Sequence, residues 1–308
     1  MATVAQTSSN ESVNGSYRVG VDVGGTFVDI VTVSDTGHVQ ATKVPTEPRI
    51  FSTVEDGLGS LNVTLNSVRA LVHGSTVATN ALVQKTGART LLITTKGFRD
   101  ILEIRRTDKG DLFNLNWSPP RPIIERANRL EIDERVVWTG EVIRPLDVAD
   151  VERIVRIIDK RNIEAVAIIF LHAYVNPSHE RQLRDLLLER RPHLHVSISS
   201  DVVPSYREFE RTATTAANAY IAPVVARYIE RFVQDLQNAG FAHDVLIMQS
   251  NGGVSSFEGC KEVPAKTIRS GPAGGAIALA AAARQSGYPN MIGLDIGGTT
   301  ADVSMVWQ

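Results

Sequence analysis

The sequence has little of several features that mark specialised classes of protein. Its single cysteine, Cys260, permits no disulfide within the chain and no thiolate zinc site, and its seven histidines show no metal-ligand spacing. The formal net charge is −2, so nothing indicates a nucleic acid as a partner. The longest strongly apolar run, residues 165–171, is too short to span a bilayer, and no membrane partner is predicted.

The first residues also lack the features of a targeting signal. Residues 1–16 are polar, without the basic and apolar regions of a signal peptide, and are expected to form a flexible tail. Together with the single cysteine, this start predicts a cytoplasmic protein. With 43% hydrophobic and 21% charged residues, the composition is that of an ordinary globular protein of about two domains.

What the sequence does contain is one short phrase that occurs twice. Residues 19–31 read VGVDVGGTFVDIV and residues 292–304 read IGLDIGGTTADVS. When Asp22 is aligned with Asp295, the Gly-Gly-Thr triplet and a second acid also fall in register. Two registered copies this far apart predict a duplicated fold with a ligand between its halves.

Each copy has the pattern of a β-hairpin whose tip suits a phosphate and its metal ion. We expect Asp22 and Asp295 to orient Mg²⁺ through water, because this ion keeps much of its hydration shell. The residues that would offer N–H and hydroxyl donors to the phosphates are Gly24, Gly25, Thr26, Gly297, Gly298 and Thr299. The second acids, Asp29 and Asp302, suit either metal binding or turn stabilisation. The alternative for the whole motif is a pair of tight structural hairpins.

Between the two copies, the periodicity predicts alternating strands and helices. Strands are predicted at residues 18–22, 27–33, 38–44, 70–73, 89–95, 166–171, 196–199 and 245–248. Helices are predicted at residues 50–66, 147–160, 177–190, 205–238 and 273–284, with a further helix starting near residue 96. The first three strands form a meander, residues 107–145 are irregular or β-rich, and Pro223 is where the long helix would bend.

This pattern predicts two related halves after the tail. Residues 17–204 form the first half with an insertion, and residues 205–308 begin the second. Only a few residues follow the second hairpin, whereas a third strand and much more chain follow the first. We therefore expect a truncated second domain. The alternative is that the second hairpin joins the first sheet as an edge.

Two further glycine-rich stretches are candidates for anion binding. SNGG at residues 250–253 follows a predicted strand, and SGPAGG at residues 270–275 precedes a predicted helix. A helix N-terminus attracts anions, which makes Gly271, Gly274 and Gly275 candidates for phosphate contact. Close packing of helix against strand is the equal alternative.

Histidine and arginine residues supply the remaining candidates. His73, where a strand meets HGSTVATN, would polarise a carbonyl or relay a proton, with a structural role as the alternative. Arg99, Asp100, Arg105 and Arg106 form a charged cluster. The cluster suits either a carboxylate-bearing substrate or a solvated helix face.

Several stretches together resemble the ATP-dependent hydantoinase A/5-oxoprolinase family, which also includes subunits of acetone and acetophenone carboxylases. The matching phrases are VGVDVGGTFVDIV, HGSTVATNAL, TTKGFRDILEI, SHERQLRDLL, REFERTATTAANAY, MQSNGGV, RSGPAGG and LDIGGTTADV. They stand in the family's order and cover almost everything from Arg18 to Val306. The resemblance is therefore highly specific.

The resemblance implies an α/β fold of the actin-like ATPase (ribonuclease H-like) type, with ATP and Mg²⁺ between two related domains. Family members use ATP to phosphorylate the carbonyl oxygen of an amide or lactam, so that a C–N bond can be hydrolysed. A small cyclic amide would be the substrate, and a hydantoinase B-type subunit or domain the partner. The candidates for catalytic roles here are Asp22, Asp295 and His73.

The sequence departs from the family pattern in two ways. Val28 and Ala301 stand where the family usually has a threonine before the second acid, so any contact made by that hydroxyl is in doubt. The family's later glycine-rich segment, expected to hold the adenosine, has no counterpart here. Two other functions therefore stay open: a non-catalytic nucleotide-binding fragment, and a sugar or acyl kinase of the same superfamily with Asp201 as its base.

Overall fold

The computed structural model describes residues 16–296 and 301–307, in which strands alternate with helices. The strands are β1 (Tyr17–Val23), β2 (Phe27–Ser34), β3 (Val39–Pro45), β4 (Val68–Ser75), β5 (Thr90–Thr95), β6 (Arg129–Ile132), β7 (Arg135–Val136), β8 (Val142–Arg144), β9 (Ala165–Ile169), β10 (His195–Ile198), β11 (Val245–Met248), β12 (Val254–Ser256), β13 (Met291–Ile296) and β14 (Ala301–Val306). The helices are α1 (Ile50–Ser60), α2 (Val77–Val83), α3 (Ile101–Ile104), α4 (Val148–Arg161), α5 (Ser178–Arg190), α6 (Ser199–Val202), α7 (Glu208–Asn238), α8 (Phe257–Glu262) and α9 (Ser270–Ser286). The α/β class predicted from the sequence is confirmed.

Six strands form a mixed sheet in the order β12-β11-β4-β1-β2-β3. Strands β1, β2 and β3 pair antiparallel in succession, which confirms the predicted meander. On the other side, β4 runs parallel to β1, and β11 runs parallel to β4. Because β11 and β12 follow residue 204, this first sheet draws on both of the segments predicted as halves.

The first sheet buries one face and leaves the other open. Along β1, Val19, Val21 and Val23 are buried, while Asp22 between them lies on the open face. Helices α1 and α7 cover the buried face with Phe51, Val54, Leu58, Ile221, Val225, Phe232 and Leu236. Each aliphatic or aromatic side chain removed from water in this way contributes about 1.5–3 kcal/mol. Packing of the buried face against the helices therefore fixes the position of β1, and the opposite face is open to a ligand.

A second sheet is inserted between α2 and α7. Its four strands, in the order β10-β9-β5-β6, are all parallel. Strands β5 and β9 are buried at every residue, as expected for a parallel sheet covered on both faces. Helices α4 and α5 cover one face, and Ala216 and Ala219 of α7 pack against the other.

Helix α7 packs against both sheets. It runs for 31 residues and continues through Pro223, and it begins at Glu208 rather than at the predicted residue 205. It ends at Asn238, and Gly240 just beyond adopts a φ of +91° that suits glycine. No helix among the described residues is long and apolar enough to cross a membrane.

Some predicted helix boundaries were wrong. The helix expected near residue 96 shrinks to α3, because Arg105 at φ +56° ends it after one turn. Helix α1 ends at Ser60 rather than at residue 66, and Asn62 at φ +57° turns the chain away. Helix α9 begins at Ser270, three residues before the predicted start. The segment 107–145 contains the short strands β6, β7 and β8, as the β-rich prediction required.

The second hairpin stands apart from the first sheet. Strands β13 and β14 pair antiparallel as a separate two-stranded sheet and pack against α9. The approach is close, because a Cβ at Gly293 would lie 3.1 Å from a methyl carbon of Leu279. The alternative that this hairpin extends the edge of the first sheet is therefore wrong for the described strands.

A buried polar network joins the second sheet to the start of α7. Glu180 is fully buried and accepts hydrogen bonds from the backbone N–H of Phe170 and of Ser200, each at 2.9 Å, and from Ser199 Oγ at 2.6 Å. Arg211, also fully buried, donates to Ser199 Oγ at 2.6 Å and lies 3.8 Å from Glu180. Burial raises the pKa of Glu180, while these donors and the Arg211 charge oppose that rise.

Substituting Arg211 with methionine is expected to destabilise the fold strongly. The substitution preserves most of the volume but leaves Glu180 as a buried carboxylate without its cation, a loss that typically costs about 3–5 kcal/mol. Urea denaturation measures the change in the free energy of unfolding. The control is Arg181→Met on α5, an exposed arginine whose loss should cost less than about 0.5 kcal/mol. Equal midpoints for the two variants would show that the network does not stabilise the fold.

Candidate functional site at the two Gly-Gly hairpins

Four residues form a row across the open face of the first sheet. Asp22 on β1 lies opposite Asp29 on β2, which lies opposite Lys43 on β3, and on the other side Asp22 pairs with Gly74 on β4. Residues paired across neighbouring strands project to the same face, so the two acids and the lysine are neighbours. Lys43 Nζ donates to Asp29 Oδ2 at 2.6 Å. The strand register therefore places the charged groups of Asp22, Asp29 and Lys43 next to one another on the open face of the sheet.

Gly74 makes room for the Asp22 carboxylate. A Cβ atom at Gly74 would lie 2.9 Å from Asp22 Oδ1, closer than real side chains approach. Any larger residue at this position would displace the carboxylate. Gly74 belongs to the phrase HGSTVATN, but the sequence alone gave no signal of its partner.

The surroundings of Asp22 disfavour the ionised form of its carboxyl group. The carboxylate retains some exposed surface, but the surrounding protein removes much of its hydration. This desolvation raises the pKa of Asp22, the negative charges of Asp29 and Asp295 raise it further, and Lys43 lowers it. Since Coulomb interaction weakens with distance, the effect of Asp295 indicates that the acid of the second hairpin lies near enough for its charge to act on Asp22.

The tip of the first hairpin divides its predicted donors into two groups. The Gly24 N–H donates to the Phe27 carbonyl at 3.0 Å, and Thr46 Oγ1 donates to the Gly24 carbonyl at 3.0 Å. Gly24 is therefore engaged in closing the turn. Gly25 and Thr26 are exposed, and no atom lies within 4 Å of a Cβ built on Gly25. These two residues are the better placed of the three for contact with a phosphate.

The second hairpin repeats the pairing of the first. Asp295 on β13 lies opposite Asp302 on β14, as Asp22 lies opposite Asp29. Arg269, just before α9, has Nη2 at 3.9 Å from Asp302 Oδ1. The predicted donors at the tip, which lie outside the described residues and stay predictions, are Gly297, Gly298 and Thr299.

Two threonines of the phrase HGSTVATN link the first hairpin to the segment that precedes α9. Thr76 donates to the Val23 carbonyl at the end of β1, through both its backbone N–H and Oγ1, each at 3.3 Å. Thr79 Oγ1 accepts from the backbone N–H of Arg269 at 2.9 Å. Sequence reasoning did not single out these threonines, although the matched phrase contains both.

His73 occupies a different place from the acids. Its ring is fully buried, stacks on Phe232 with 4.6 Å between ring centroids, and has Nε2 at 3.0 Å from the Tyr228 hydroxyl. Burial lowers the pKa of His73 to about 4, so the ring is neutral at pH 7. A sealed, neutral ring between β4 and α7 has no surface for a substrate. The geometry therefore fits the structural alternative.

The glycines of SGPAGG lie inside α9 rather than before it. A Cβ at Gly274 would lie 3.1 Å from the terminal methyl of Met248, so this glycine permits close packing on β11. Gly274 and Gly275 fall beyond the first turn, where backbone N–H groups are engaged within the helix. Of the three glycines in SGPAGG, only Gly271 lies in the first turn of α9, where a backbone N–H is free to meet an anion.

The arginine cluster near α3 is largely paired within the protein. Asp100 accepts two hydrogen bonds from Arg126, at 2.8 and 3.0 Å. Arg105 pairs with Asp108 at 3.3 Å and Arg106 pairs with Glu210, while Arg99 forms no ion pair within the described ranges. These pairings favour the solvated-face alternative over a substrate-binding cluster.

The acids fit a cation that keeps part of its water shell. Within residues 16–296 and 301–307, no group of three or more His, Cys, Asp or Glu side chains forms a metal site by itself. Mg²⁺ commonly takes only one or two carboxylates and completes its shell with water and phosphate oxygens. A cation beside Asp22 would also relieve the repulsion that raises the pKa of this residue.

Replacing Asp22 with asparagine is expected to raise thermal stability at neutral pH. Asparagine has nearly the same shape and removes a charge that burial, Asp29 and Asp295 all disfavour. A carboxyl whose pKa is raised in the folded state destabilises the fold fully above that pKa and not at all below its unfolded-state pKa. The advantage of Asp22→Asn should therefore shrink as the pH falls through the raised pKa and vanish below the ordinary value of an aspartate. Thermal melts from about pH 8 to about pH 4 measure the difference.

The control for this prediction is Asp111→Asn, at an exposed carboxylate outside the sheets. Its melting temperature should follow that of the wild type at every pH. A neutral-pH melting temperature of Asp22→Asn at or below the wild-type value would show that Asp22 is not under electrostatic stress.

Comparison with known proteins relates this site to a family. A model of the hydantoinase/oxoprolinase N-terminal region matches residues 18–191, and a hydantoinase/oxoprolinase model matches residues 211–308. The chain is 34% identical to the caprolactamase subunit alpha of Pseudomonas jessenii, over 94% of this chain and 43% of that protein. It is 32% identical to the 5-oxoprolinase of Saccharomyces cerevisiae, over 94% of this chain and 26% of that protein.

Solved structures agree with the sequence relatives. The nucleotide-free structure of an acetone carboxylase, from work on ATP-dependent acetone carboxylation, matches with a TM-score of 0.86 at 28% identity, over 96% of this chain and 44% of that chain. The ATP-dependent caprolactamase of Pseudomonas jessenii matches with a TM-score of 0.81 at 33% identity, over 94% of this chain and 43% of that chain. The chain thus spans less than half the length of these relatives. The resemblance drawn from the sequence is confirmed, and the chain belongs to the hydantoinase/oxoprolinase family.

Proposed function

We propose that this chain binds Mg-ATP between its two Gly-Gly hairpins and acts as part of an ATP-dependent enzyme that opens cyclic amides. The observation that supports the proposal is the equivalent pairing of acids in both hairpins, where Asp22 lies opposite Asp29 and Asp295 lies opposite Asp302. The charge of Asp295 also raises the pKa of Asp22. An acid pair beside exposed backbone at a glycine-rich tip suits a triphosphate and its Mg²⁺. The ATP-dependent caprolactamase supports the choice of nucleotide and of substrate class.

The fold proposed for this function is the actin-like ATPase type. The meander β1-β2-β3, continued by the parallel strands β4 and β11, supports it, as does the repeated hairpin. In this proposal the hairpins are the two phosphate motifs of related halves. The division of the chain at residues 204 and 205 stays part of the same proposal.

The proposed chemistry is activation of a lactam carbonyl. The carbonyl oxygen attacks the γ-phosphorus of ATP, the bond to ADP breaks, and the carbonyl carbon becomes more electrophilic. Water then adds to that carbon and the C–N bond breaks, with the nitrogen taking a proton, which leaves an acyl phosphate. A second water adds to the carbonyl carbon of the acyl phosphate, and phosphate leaves with the former carbonyl oxygen. Mg²⁺ would neutralise charge on the phosphates, and Asp22 and Asp295 would orient it, since positioning and charge neutralisation dominate phosphoryl transfer.

A second subunit or domain completes the proposal. One relative is named as the alpha subunit of caprolactamase, and the beta subunit of acetone carboxylase is another. We propose a hydantoinase B-type partner for the water-addition step, with this chain supplying the nucleotide site. The alternative of a nucleotide-binding fragment without activity of its own applies to the chain when its partner is absent.

The kinase alternative has less support from the geometry. Its proposed base, Asp201, lies after β10 at the edge of the second sheet and pairs with Arg184 at 3.1 Å. The acids of the hairpins lie on the other sheet and on the separate hairpin β13-β14. We therefore keep Asp201 as a control rather than as a candidate base.

ATP hydrolysis is expected to be stimulated by a lactam and lost when either hairpin acid is neutralised. Asp22→Asn and Asp295→Asn should each lower the stimulated rate by roughly 100-fold or more, because each removes an electrostatic group from the transition state. The assay compares ATP hydrolysis in the presence of 5-oxoproline, hydantoin or a sugar, for the chain alone and for the chain with its proposed partner. ADP release is the readout, because both a lactam hydrolase and a sugar kinase produce ADP.

The matched control is Asp201→Asn, which should leave the stimulated rate unchanged under the lactam proposal. An ¹⁸O label in the lactam carbonyl should appear in the released phosphate. Stimulation by sugars but not by lactams, together with loss of activity in Asp201→Asn, would replace this proposal with the kinase.

A further inference from the structure

The second acid of each hairpin has a basic partner. On the first hairpin, Lys43 Nζ lies 2.6 Å from Asp29 Oδ2. On the second, Arg269 Nη2 lies 3.9 Å from Asp302 Oδ1. The two pairings fall at the same position of the repeated phrase.

The two basic residues come from different parts of the fold. Lys43 stands on β3, beside the first hairpin, whereas Arg269 immediately precedes α9 and is tied to Thr79 through its backbone N–H. Neither belongs to the repeated phrase itself. Unrelated elements thus supply a cation to equivalent acids, which an inherited duplication of the hairpin does not explain.

The basic side chains of both pairs are exposed to solvent. The side chains of Lys43 and Arg269 are 55% and 72% exposed. Ion pairs this open to solvent contribute little to fold stability, because water competes for both charges. Lys43 lies on the same open face as Asp22, and Arg269 lies beside the second acid of the other hairpin.

The charges of the site also require cations. Asp22, Asp29, Asp295 and Asp302 would repel a polyanion such as a nucleotide triphosphate. The positive charge of Lys43 opposes the effect of these acids and lowers the pKa of Asp22. Two protein cations reduce the four negative charges to a net of two, which one divalent metal ion cancels.

We propose that Lys43 and Arg269, one beside each hairpin, bind the phosphate groups of the nucleotide, and that Asp29 and Asp302 hold these two side chains in place. The inference rests on the proposed nucleotide site and assigns separate tasks to the acids of each repeat. The first acids serve the metal ion, and the second acids position the cations. Arginine suits such a contact because its planar fork can donate two hydrogen bonds to one phosphate.

The test compares the affinities of Mg-ATP, Mg-ADP and AMP for single variants by calorimetry. Lys43→Gln and Arg269→Gln should each weaken Mg-ATP binding by about tenfold or more, because a charge-assisted hydrogen bond to phosphate is lost. AMP binding should change much less. Asp29→Asn should weaken Mg-ATP binding by a smaller factor, since it frees Lys43 without removing it.

The chain offers a matched control for each cation. Lys261 pairs with Glu230 at 3.0 Å and lies 4.9 Å from the Phe257 ring, much as Lys43 pairs with Asp29 and lies 5.3 Å from the Phe27 ring. Arg284 is exposed in the last turn of α9, the helix that follows Arg269. Lys261→Gln and Arg284→Gln should bind all three nucleotides like the wild type.

Three outcomes separate the inference from the function on which it rests. Loss of Mg-ATP affinity with retained AMP affinity, absent from the controls, supports the inference. Wild-type Mg-ATP affinity in both Lys43→Gln and Arg269→Gln overturns it and leaves the proposed function intact. Absence of nucleotide binding by the wild-type protein, with its proposed partner present, overturns both this inference and the proposed function.

Discussion

The crowding of like charges at Asp22 is the constraint on which the rest of the site depends. Burial and the charges of Asp29 and Asp295 all disfavour its ionised form. The rest of the fold must therefore keep the Asp22 carboxylate in this position against charge repulsion. The surrounding structure supplies that restraint through β-sheet pairing on both sides of Asp22 and through the space left by Gly74. A bound cation would relieve this repulsion, so the unfavourable charge of Asp22 would strengthen cation binding.

The two hairpins are held together by elements that are distant in sequence. Helix α7 fixes the first sheet from its buried face, and helix α9 supports the second hairpin on its own face. Thr76 and Thr79 connect the end of β1 to the residue that precedes α9. The position of each hairpin therefore depends on long-range packing, although each hairpin is itself a local structure.

Much of this could be predicted from the sequence where local rules decide. The repeated phrase specified both hairpins and their acids, and alternation of buried residues specified the meander. Lys43, Gly74 and Arg269 were missed because their roles arise from strand pairing and helix placement, which no local pattern encodes. The functional hypothesis for His73 stays a prediction, and the burial of its ring, which composition does not reveal, favours the structural alternative. The start of α9 was placed too late because glycine disfavours helix, and packing on Met248 outweighs that preference.

A double-mutant cycle on Mg-ATP affinity tests most directly whether Asp22 and Asp295 serve one site. The affinities of the wild type, Asp22→Asn, Asp295→Asn and the double variant give the coupling free energy between the two acids. If both acids orient one cation, the double variant should bind about as weakly as the weaker single variant, with a coupling above about 0.5 kcal/mol. Losses that simply add, or affinities that none of the substitutions changes, would contradict a shared site.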